Sequence, residues 1–209
     1  MFRLRGFTKG VNEKMNAYIL SVVLSGFVAT SLSADLIWDE AIDGDISNNY
    51  LSPDQMFVTA GDNTVKFVTV GADDKEYFTF NIAAGYELSA IIVNDFQTSP
   101  EGNLAFFGVA AGTVFPTSPD TPNPSELLGY TLFGTKSIGS DILEDMGQGG
   151  GSIGFEGPLA AGDYTFWAQE TFSTDDVWDL NFVISEVPSP GALALFGICG
   201  LGASRRRKR

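Results

Sequence analysis

The sequence contains no histidine, and its one cysteine, Cys199, lies close to the C-terminus. The absence of histidine excludes Ser-His-Asp and Cys-His catalysis, and it excludes zinc, iron or copper sites built on histidine. The body of the chain has no cysteine, so it has no disulfide, no thiol nucleophile and no thiolate metal site. Most of the familiar routes to catalysis and to transition-metal binding are therefore closed to this chain.

Basic residues are scarce in the body of the chain, between residues 35 and 190. Only Lys66, Lys75 and Lys136 lie there, against 25 acidic residues, which gives this part a net charge of −22. Such a charge argues against binding to nucleic acid or to anionic lipid. Two interpretations of the acidic excess stay open. It is either the solubilising surface of a secreted protein, or a surface that binds calcium or a cationic matrix.

The N-terminal segment 1–34 is typical of a secretory signal peptide with a signal helix. Four basic residues precede an apolar run at 17–29, and small residues follow this run up to Ala34 as cleavage positions. This order predicts export through the Sec translocon and a mature body that starts near Asp35. Fourteen residues precede Met15, an unusual length for the basic part of a signal peptide, so Met15 is an alternative start.

The C-terminal segment 187–209 has the composition of a sorting tail. The residues assigned to sorting and processing are Val187, Pro188, Ser189, Pro190, Gly191, Arg205, Arg206, Arg207, Lys208 and Arg209. Between the prolines and the basic cluster lies an apolar segment at 191–204, which predicts a short apolar helix. A stable membrane span needs about 20 apolar residues, so this helix is a marginal anchor. The basic cluster resists crossing the bilayer and can stop the chain there.

This tail resembles the PEP-CTERM sorting signal of Gram-negative bacteria, with Pro188-Ser189-Pro190 where that family usually has Pro-Glu-Pro. The resemblance implies that an exosortase in the inner membrane cuts near the junction. It also implies that the body then passes to the cell surface or the exopolysaccharide matrix. The alternative interpretation is a weak permanent anchor or a disordered tail.

The body at 35–186 is predicted to be one all-β domain, an antiparallel β-sandwich or jelly roll. Seven runs rich in β-branched and aromatic residues, bounded by turn residues, lie at 64–70, 76–82, 87–95, 104–110, 128–133, 163–171 and 178–185. Successive side chains of a strand point to opposite faces, so Phe78, Phe80 and Ile82 share one face with Glu76. A proline-rich stretch at 115–124 predicts an exposed connection.

Two stretches, DDKEYFTF at 73–80 and GDYTFWAQET at 162–171, are similar to strands of bacterial pre-peptidase C-terminal domains, which are small β-sandwiches. The resemblance extends over most of the body. Its motifs consist mainly of strand-core residues. It therefore implies a fold more than an activity.

Acidic residues near the start of the body form a candidate calcium site, because calcium takes six to eight oxygen ligands. The candidate ligands are Asp39, Asp43, Asp45, Asp73 and Asp74. An EF-hand loop beginning at Asp43 is rejected, because its sixth position is Asn48 instead of Gly and its twelfth is Asp54 instead of Glu. The alternative is that these aspartates cap turns by binding nearby backbone groups. Calcium is the one cofactor that the sequence suggests.

No carboxylate pair suited to glycoside hydrolysis stands out in the sequence. We expect no Asp or Glu inside an apolar strand. Glu170 and Asp95 come closest, and both are interpreted as strand-end residues that face solvent. The chain is therefore predicted not to be an enzyme, and a polysaccharide hydrolase is the least favoured alternative.

Three tryptophans, Trp38, Trp167 and Trp178, are predicted to anchor the core, with a sugar-stacking platform as the alternative. Taken with the two ends of the chain, the sequence predicts an exported, non-catalytic protein of structural or adhesive function. It would lie at the cell surface or in the extracellular matrix, with extracellular polysaccharide as an expected partner. A calcium- or carbohydrate-binding module is the alternative.

Overall fold

The computed structural model describes residues 34–188, and β-strand is the main secondary structure of this part of the chain. The strands are β1 (Asp35–Asp39), β2 (Asp54–Gln55), β3 (Gly61–Val70), β4 (Lys75–Ile82), β5 (Tyr86–Gln97), β6 (Ala105–Ala111), β7 (Gly129–Phe133), β8 (Gly162–Glu170) and β9 (Asp175–Glu186). The helical elements are α1 (Glu40–Asp43), α2 (Leu143–Gly147) and 3-10 turns at Pro124–Glu126 and Thr135–Ser137. The predicted signal helix and C-terminal apolar helix lie outside the described residues.

The strands form two sheets, with the order β1-β3-β9-β5 in one and β2-β4-β8-β6-β7 in the other. The long strands pair antiparallel, as the sequence predicts. Two edge pairings, β1 with β3 and β2 with β4, are parallel. A purely antiparallel sandwich was therefore the wrong expectation at these edges. No hairpin joins either pair: the chain between the two strands makes a long connection, as a parallel pairing requires.

Strand β4 shows how alternation builds the core. Phe78, Phe80 and Ile82 are buried against the other sheet, as predicted. Glu76 shares their face and is also fully buried. The expectation that no Asp or Glu lies inside an apolar strand is therefore wrong. The same alternation that buries the phenylalanines carries this carboxylate inside with them.

Aromatic rings join the two sheets across the core. Phe182 of β9 meets Phe78 and Phe80 of β4 edge to face, with ring centroids 5.8 and 5.3 Å apart. Trp178, also on β9, stacks on Phe67 of β3 with centroids 5.1 Å apart. These are the geometries that aromatic pairs prefer. The core is thus fixed by a small number of well-placed rings from both layers.

A second apolar cluster covers the outer face of the five-stranded sheet. Tyr77 and Trp167 stack there on adjacent strands, with ring centroids 5.7 Å apart. Phe115 packs on both rings and is fully buried, and its N–H donates to the carbonyl oxygen of Tyr50 at 2.8 Å. The expectation of an exposed connection at 115–124 is therefore wrong at its start, where Phe115 and Thr117 are both buried, because the loop folds back over the aromatic face.

Candidate metal centre

The first aspartates of the body cap the short helix α1. Asp39 Oδ1 accepts a hydrogen bond from the N–H of Ala41 at 3.0 Å. Asp43 Oδ2 accepts one from the N–H of Asp39 at 2.9 Å. These are the contacts of turn-capping aspartates, the alternative that the sequence left open.

Asp73 and Asp74 lie in the turn between β3 and β4. The carboxylate of Asp74 accepts hydrogen bonds from the N–H of Val70 at 2.7 Å and from Asn48 Nδ2 at 3.1 Å. Asp73 uses its backbone carbonyl oxygen to accept from Lys75 Nζ at 3.0 Å. Both aspartates thus belong to a hydrogen-bonded turn.

Three carboxylates do converge beside the start of β4, those of Glu40, Asp45 and Glu76. One oxygen of each lies within 4.8 Å of the other two. Calcium binds oxygens at 2.3–2.6 Å, so ligand oxygens around one ion lie at most roughly 5 Å apart. The spacing therefore fits a single ion between the three groups. Of the five aspartates predicted as ligands, only Asp45 belongs to this acidic cluster.

Backbone hydrogen bonds hold Glu40 in place. Its Oε1 accepts from the N–H of Ile46 at 3.2 Å, and its Oε2 accepts from the N–H of Val68 on β3 at 2.7 Å. The side chain is half-buried, and burial raises the pKa of Glu40 while these two hydrogen bonds oppose the rise. Glu40 is thus a fixed, partly dehydrated carboxylate at the edge of the sandwich.

Glu76 is the residue of the cluster that most needs a partner. It has no exposed surface, and neither of its carboxylate oxygens accepts a hydrogen bond from residues 34–188. Burial, followed by repulsion from the nearby carboxylates, Glu40 first, raises the pKa of Glu76 to about 10. A buried charge without a partner is strongly unfavourable. The side chain must therefore be either protonated or neutralised by a cation.

The donor atoms of the cluster indicate the kind of cation. They are all carboxylate oxygens, which suit hard ions such as calcium and magnesium. Magnesium demands near-ideal octahedral geometry and keeps several waters, whereas calcium accepts irregular cages. Three carboxylates from different segments, one of them fully buried, therefore fit calcium better.

Sequence reasoning found Asp45 and missed Glu40 and Glu76. The signal for Glu76 was present, since the alternation of β4 puts it on the apolar face. No local signal marks Glu40. It becomes a candidate only because the chain after β1 folds against β3 and brings residues 40 and 68 together.

The two carboxylates that sequence reasoning singled out for catalysis differ in their surroundings. Glu170 is fully buried, so the expectation that it faces solvent is wrong. Its Oε1 accepts hydrogen bonds from Asn103 Nδ2 and from the N–H of Phe172. Asp95 is exposed as expected, and its Oδ1 accepts from the N–H of Phe96 at 3.0 Å. Glu170 is buried because it lies on the inward face of β8, the same face as the core residues of that strand.

The tryptophans anchor apolar clusters, as predicted. Trp178 is in the main core and Trp167 is in the outer cluster, and both are buried. Trp38 is half-buried against the main core, and its Nε1 donates to the carbonyl oxygen of Gly44 at 3.1 Å. Trp167 lies on the outer face of the five-stranded sheet, whereas the other two rings belong to the main core, so the three do not form a shared stacking platform.

The first residues of the sorting tail, Val187 and Pro188, follow β9 and are exposed. The N–H of Val187 donates to the carbonyl oxygen of Gly85 at 2.9 Å. The other residues assigned to sorting, from Ser189 to Arg209, lie outside the described part of the chain. Within the described part, no helix has the length and apolar character needed to cross a membrane.

No protein-family model matches this chain, and no curated protein matches it. The class that the fold and the site define is a two-layer β-sandwich with a partly buried, oxygen-only acidic cluster at one edge.

Proposed function

We propose that this chain is an exported, non-catalytic protein of the cell surface or the extracellular polysaccharide matrix, and that its β-sandwich binds calcium. Export rests on the signal-peptide pattern of 1–34, and sorting rests on the resemblance of 187–209 to the PEP-CTERM signal. The proposal requires the Sec translocon and an exosortase of the inner membrane as partners. The exposed chain at Val187 and Pro188 supports it, because a processing enzyme needs accessible backbone at its cutting site.

We further infer that the sandwich belongs to the jelly-roll class. The connections from β3 to β4, β4 to β5, β5 to β6 and β8 to β9 each pass from one sheet to the other. The last two strands insert between earlier ones, β9 between β3 and β5, and β8 between β4 and β6. This nested order supports a jelly roll over a simple meander.

The calcium proposal rests on one observation, the buried and unpartnered carboxylate of Glu76 beside Glu40 and Asp45. An ion placed there removes the repulsion between the three groups and supplies both Glu76 oxygens with a partner. An ion that binds only the folded chain stabilises it by about 2.7 kcal/mol at a concentration one hundred times its dissociation constant. Extracellular calcium modules bind at roughly 0.1–1 mM, which suits a protein exposed to the medium.

Thermal unfolding of the full chain tests this site. After treatment with EDTA, the unfolding midpoint of the wild type should rise with added calcium chloride. Glu76→Gln keeps the shape of the protonated side chain but removes the charge, so its rise should be clearly smaller. Glu156→Gln, an exposed loop glutamate, is the matched control and should behave as the wild type. Equal rises in all three proteins would contradict the calcium site.

The intact mass of the protein recovered from the surface of its native host tests the proposed location. A mature chain that ends between Val187 and Gly191 would support sorting and cleavage. A chain that retains Arg205–Arg209 would contradict cleavage and leave the tail as an anchor.

A second candidate function is contact with carbohydrate, favoured by a cavity on the outer face of the five-stranded sheet. This open cavity has a volume of about 430 Å³ and includes Phe106, Tyr130 and Pro122 in its lining. Phe106 and Tyr130 stack at 5.6 Å and both keep exposed surface, as a sugar-stacking pair needs. Tyr130→Ala should weaken retention on polysaccharide from the host matrix, whereas Phe57→Ala, a change at an exposed ring elsewhere, should not. Equal retention would exclude this contact.

A further inference from the structure

Two more acidic side chains are buried at the end of the sandwich where β4 begins. Glu170 is the last residue of β8, and Asp176 is the second residue of β9. Residues two apart on a strand lie on the same face. Glu170 therefore shares the face of Ala168, and Asp176 shares the face of Trp178. Both of these neighbours belong to the main core, so both acidic side chains point inward. Neither carboxylate has exposed surface. Two acidic groups therefore end inside the protein, one from each sheet.

These groups have oxygens that nothing in the described chain satisfies. Glu170 Oε2, both carboxylate oxygens of Asp176 and the hydroxyl oxygen of Thr174 are buried without a hydrogen-bond partner. Thr174 lies in the loop that joins β8 to β9. Buried polar atoms are nearly always paired, so four orphaned oxygens within residues 170–176 call for a missing partner.

The missing partner is not a lysine of the described part of the chain, since no lysine there forms an ion pair with either carboxylate. The ion pair found among residues 34–188 joins Lys66 to Asp179 at 3.0 Å, and Lys75 Nζ binds a backbone carbonyl oxygen. Burial, followed by the adjacent Glu170 carboxyl, raises the pKa of Asp176 to about 7, while the side chain of Thr98 beside it opposes the rise. One shared proton can therefore join an oxygen of Glu170 to one of Asp176, but it leaves the other two orphaned oxygens without a partner.

Three loops meet over this pair and can supply further oxygens. The N–H of Gly71 donates to the carbonyl oxygen of Thr174 at 2.9 Å, which ties the β3–β4 loop to the β8–β9 loop. Asn103 Nδ2 donates to both Glu170 Oε1 and Thr98 Oγ1, which ties the β5–β6 loop to β8. Backbone carbonyl and hydroxyl oxygens from such loops complete calcium sites.

We propose that a calcium ion binds between Glu170 and Asp176, with the Thr174 hydroxyl as a further ligand. This second site shares no residue with the acidic cluster of Glu40, Asp45 and Glu76, and it does not depend on that cluster being occupied. Glu76 pairs with Ala168, two residues before Glu170 on β8, so the two ions would lie at the same end of the sandwich.

Calorimetric titration of the EDTA-treated full chain with calcium chloride tests the second site. We expect two ions for the wild type, one for Asp176→Asn, one for Glu76→Gln and none for the double variant. Asp175→Asn is the matched control, because Asp175 is the exposed neighbour on β9, and it should bind two ions. The single variants separate the two sites, so failure of one proposal does not imply failure of the other.

A terbium experiment covers the case in which Asp176→Asn does not fold. Terbium replaces calcium at oxygen sites, and a nearby tryptophan such as Trp178 sensitises its emission. Terbium emission should persist in the single variant Glu76→Gln. It should be lost in the double variant Glu76→Gln/Glu170→Gln. The second site would be overturned if terbium emission were already absent in Glu76→Gln. It would also be overturned if folded Asp176→Asn bound as many calcium ions as the wild type. A shared proton would then be the partner of the pair.

Discussion

The indole nitrogen of Trp178 donates a hydrogen bond to the hydroxyl oxygen of Thr69 at 3.0 Å, wholly inside the protein. Trp178 lies on β9 and Thr69 on β3. Thr69 pairs in register with Asp176, so this hydrogen bond lies next to the proposed second calcium site. The largest side chain of the core thus has its polar atom satisfied at the acidic end of the sandwich. This contact joins the aromatic core on β9 to the neighbouring strand β3.

Thr69→Val removes the acceptor and keeps the shape of the side chain, so the Trp178 N–H is left buried without a partner. We expect a loss of about 1–3 kcal/mol in the free energy of unfolding. Urea denaturation measures it, with Thr131→Val at a half-buried strand position as the control. A loss no larger than that of the control would mean that water or another group takes over the acceptor role.

Phe166→Ala tests the aromatic core. Phe166 stacks on Phe78 and Phe80 and meets Phe182 of the other sheet, with centroids 5.0–5.8 Å apart in this group. Its removal leaves a cavity between the layers, and we expect a loss of about 3–5 kcal/mol. Phe57→Ala, at a ring that is 79% exposed, should change stability by less than about 0.5 kcal/mol. Similar losses for the two variants would show that the core does not join the sheets in this way.

The alternation of apolar residues predicts most of the long strands, because burial on one face leaves a period of two in the local sequence. All seven predicted runs overlap strands β3 to β9. β1 and β2 escape prediction because they are short edge strands whose partners are distant in sequence. Their parallel pairing depends on the path of the chain between the sheets, which no local pattern encodes.

The candidate site is less predictable than the fold, for the same physical reason. The pattern of β4 marks Glu76 as inward-facing, but the meeting of Glu76 with Glu40 and Asp45 depends on long-range packing. The capping aspartates show the opposite error, since the sequence pattern suggests ligands that the structure does not bring into the acidic cluster. Asp39 and Asp43 have the spacing of calcium ligands, yet local hydrogen bonds already use their oxygens.

Gly129→Ala tests the packing of α2 on the five-stranded sheet. A methyl group on Gly129 would overlap the carbonyl oxygen of Met146, which is a backbone atom and cannot rotate away. We expect a loss of roughly 1–3 kcal/mol from the forced shift. Gly150→Ala is the control, since its nearest neighbour, Tyr130 Oη, is 3.6 Å away. Equal thermal stability of the two variants would show that α2 does not pack closely on β7.

The pH dependence of stability in EDTA tests the burial of Glu76. Its pKa is about 10 in the folded chain and near the ordinary value of 4.5 in the unfolded one. The folded state therefore holds the proton over this range while the unfolded state releases it, so stability falls as the pH rises from about 4.5 towards 10. Glu76→Gln should show a smaller fall in urea denaturation, and the difference between the two proteins isolates this group. Parallel profiles would contradict a buried, metal-free carboxyl at this position.

Neutralising the basic end of the tail tests how the chain is sorted. Replacing Arg205–Arg209 with glutamines removes the five charges that resist passage across the bilayer. We expect the variant to pass through the membrane uncut, so that a longer chain is released into the medium, detected by its intact mass. Lys136→Gln, an exposed charge in the body, should be processed as the wild type. Normal processing of the neutralised tail would mean that the basic cluster does not stop the chain, and that the junction around Pro188 is recognised without it.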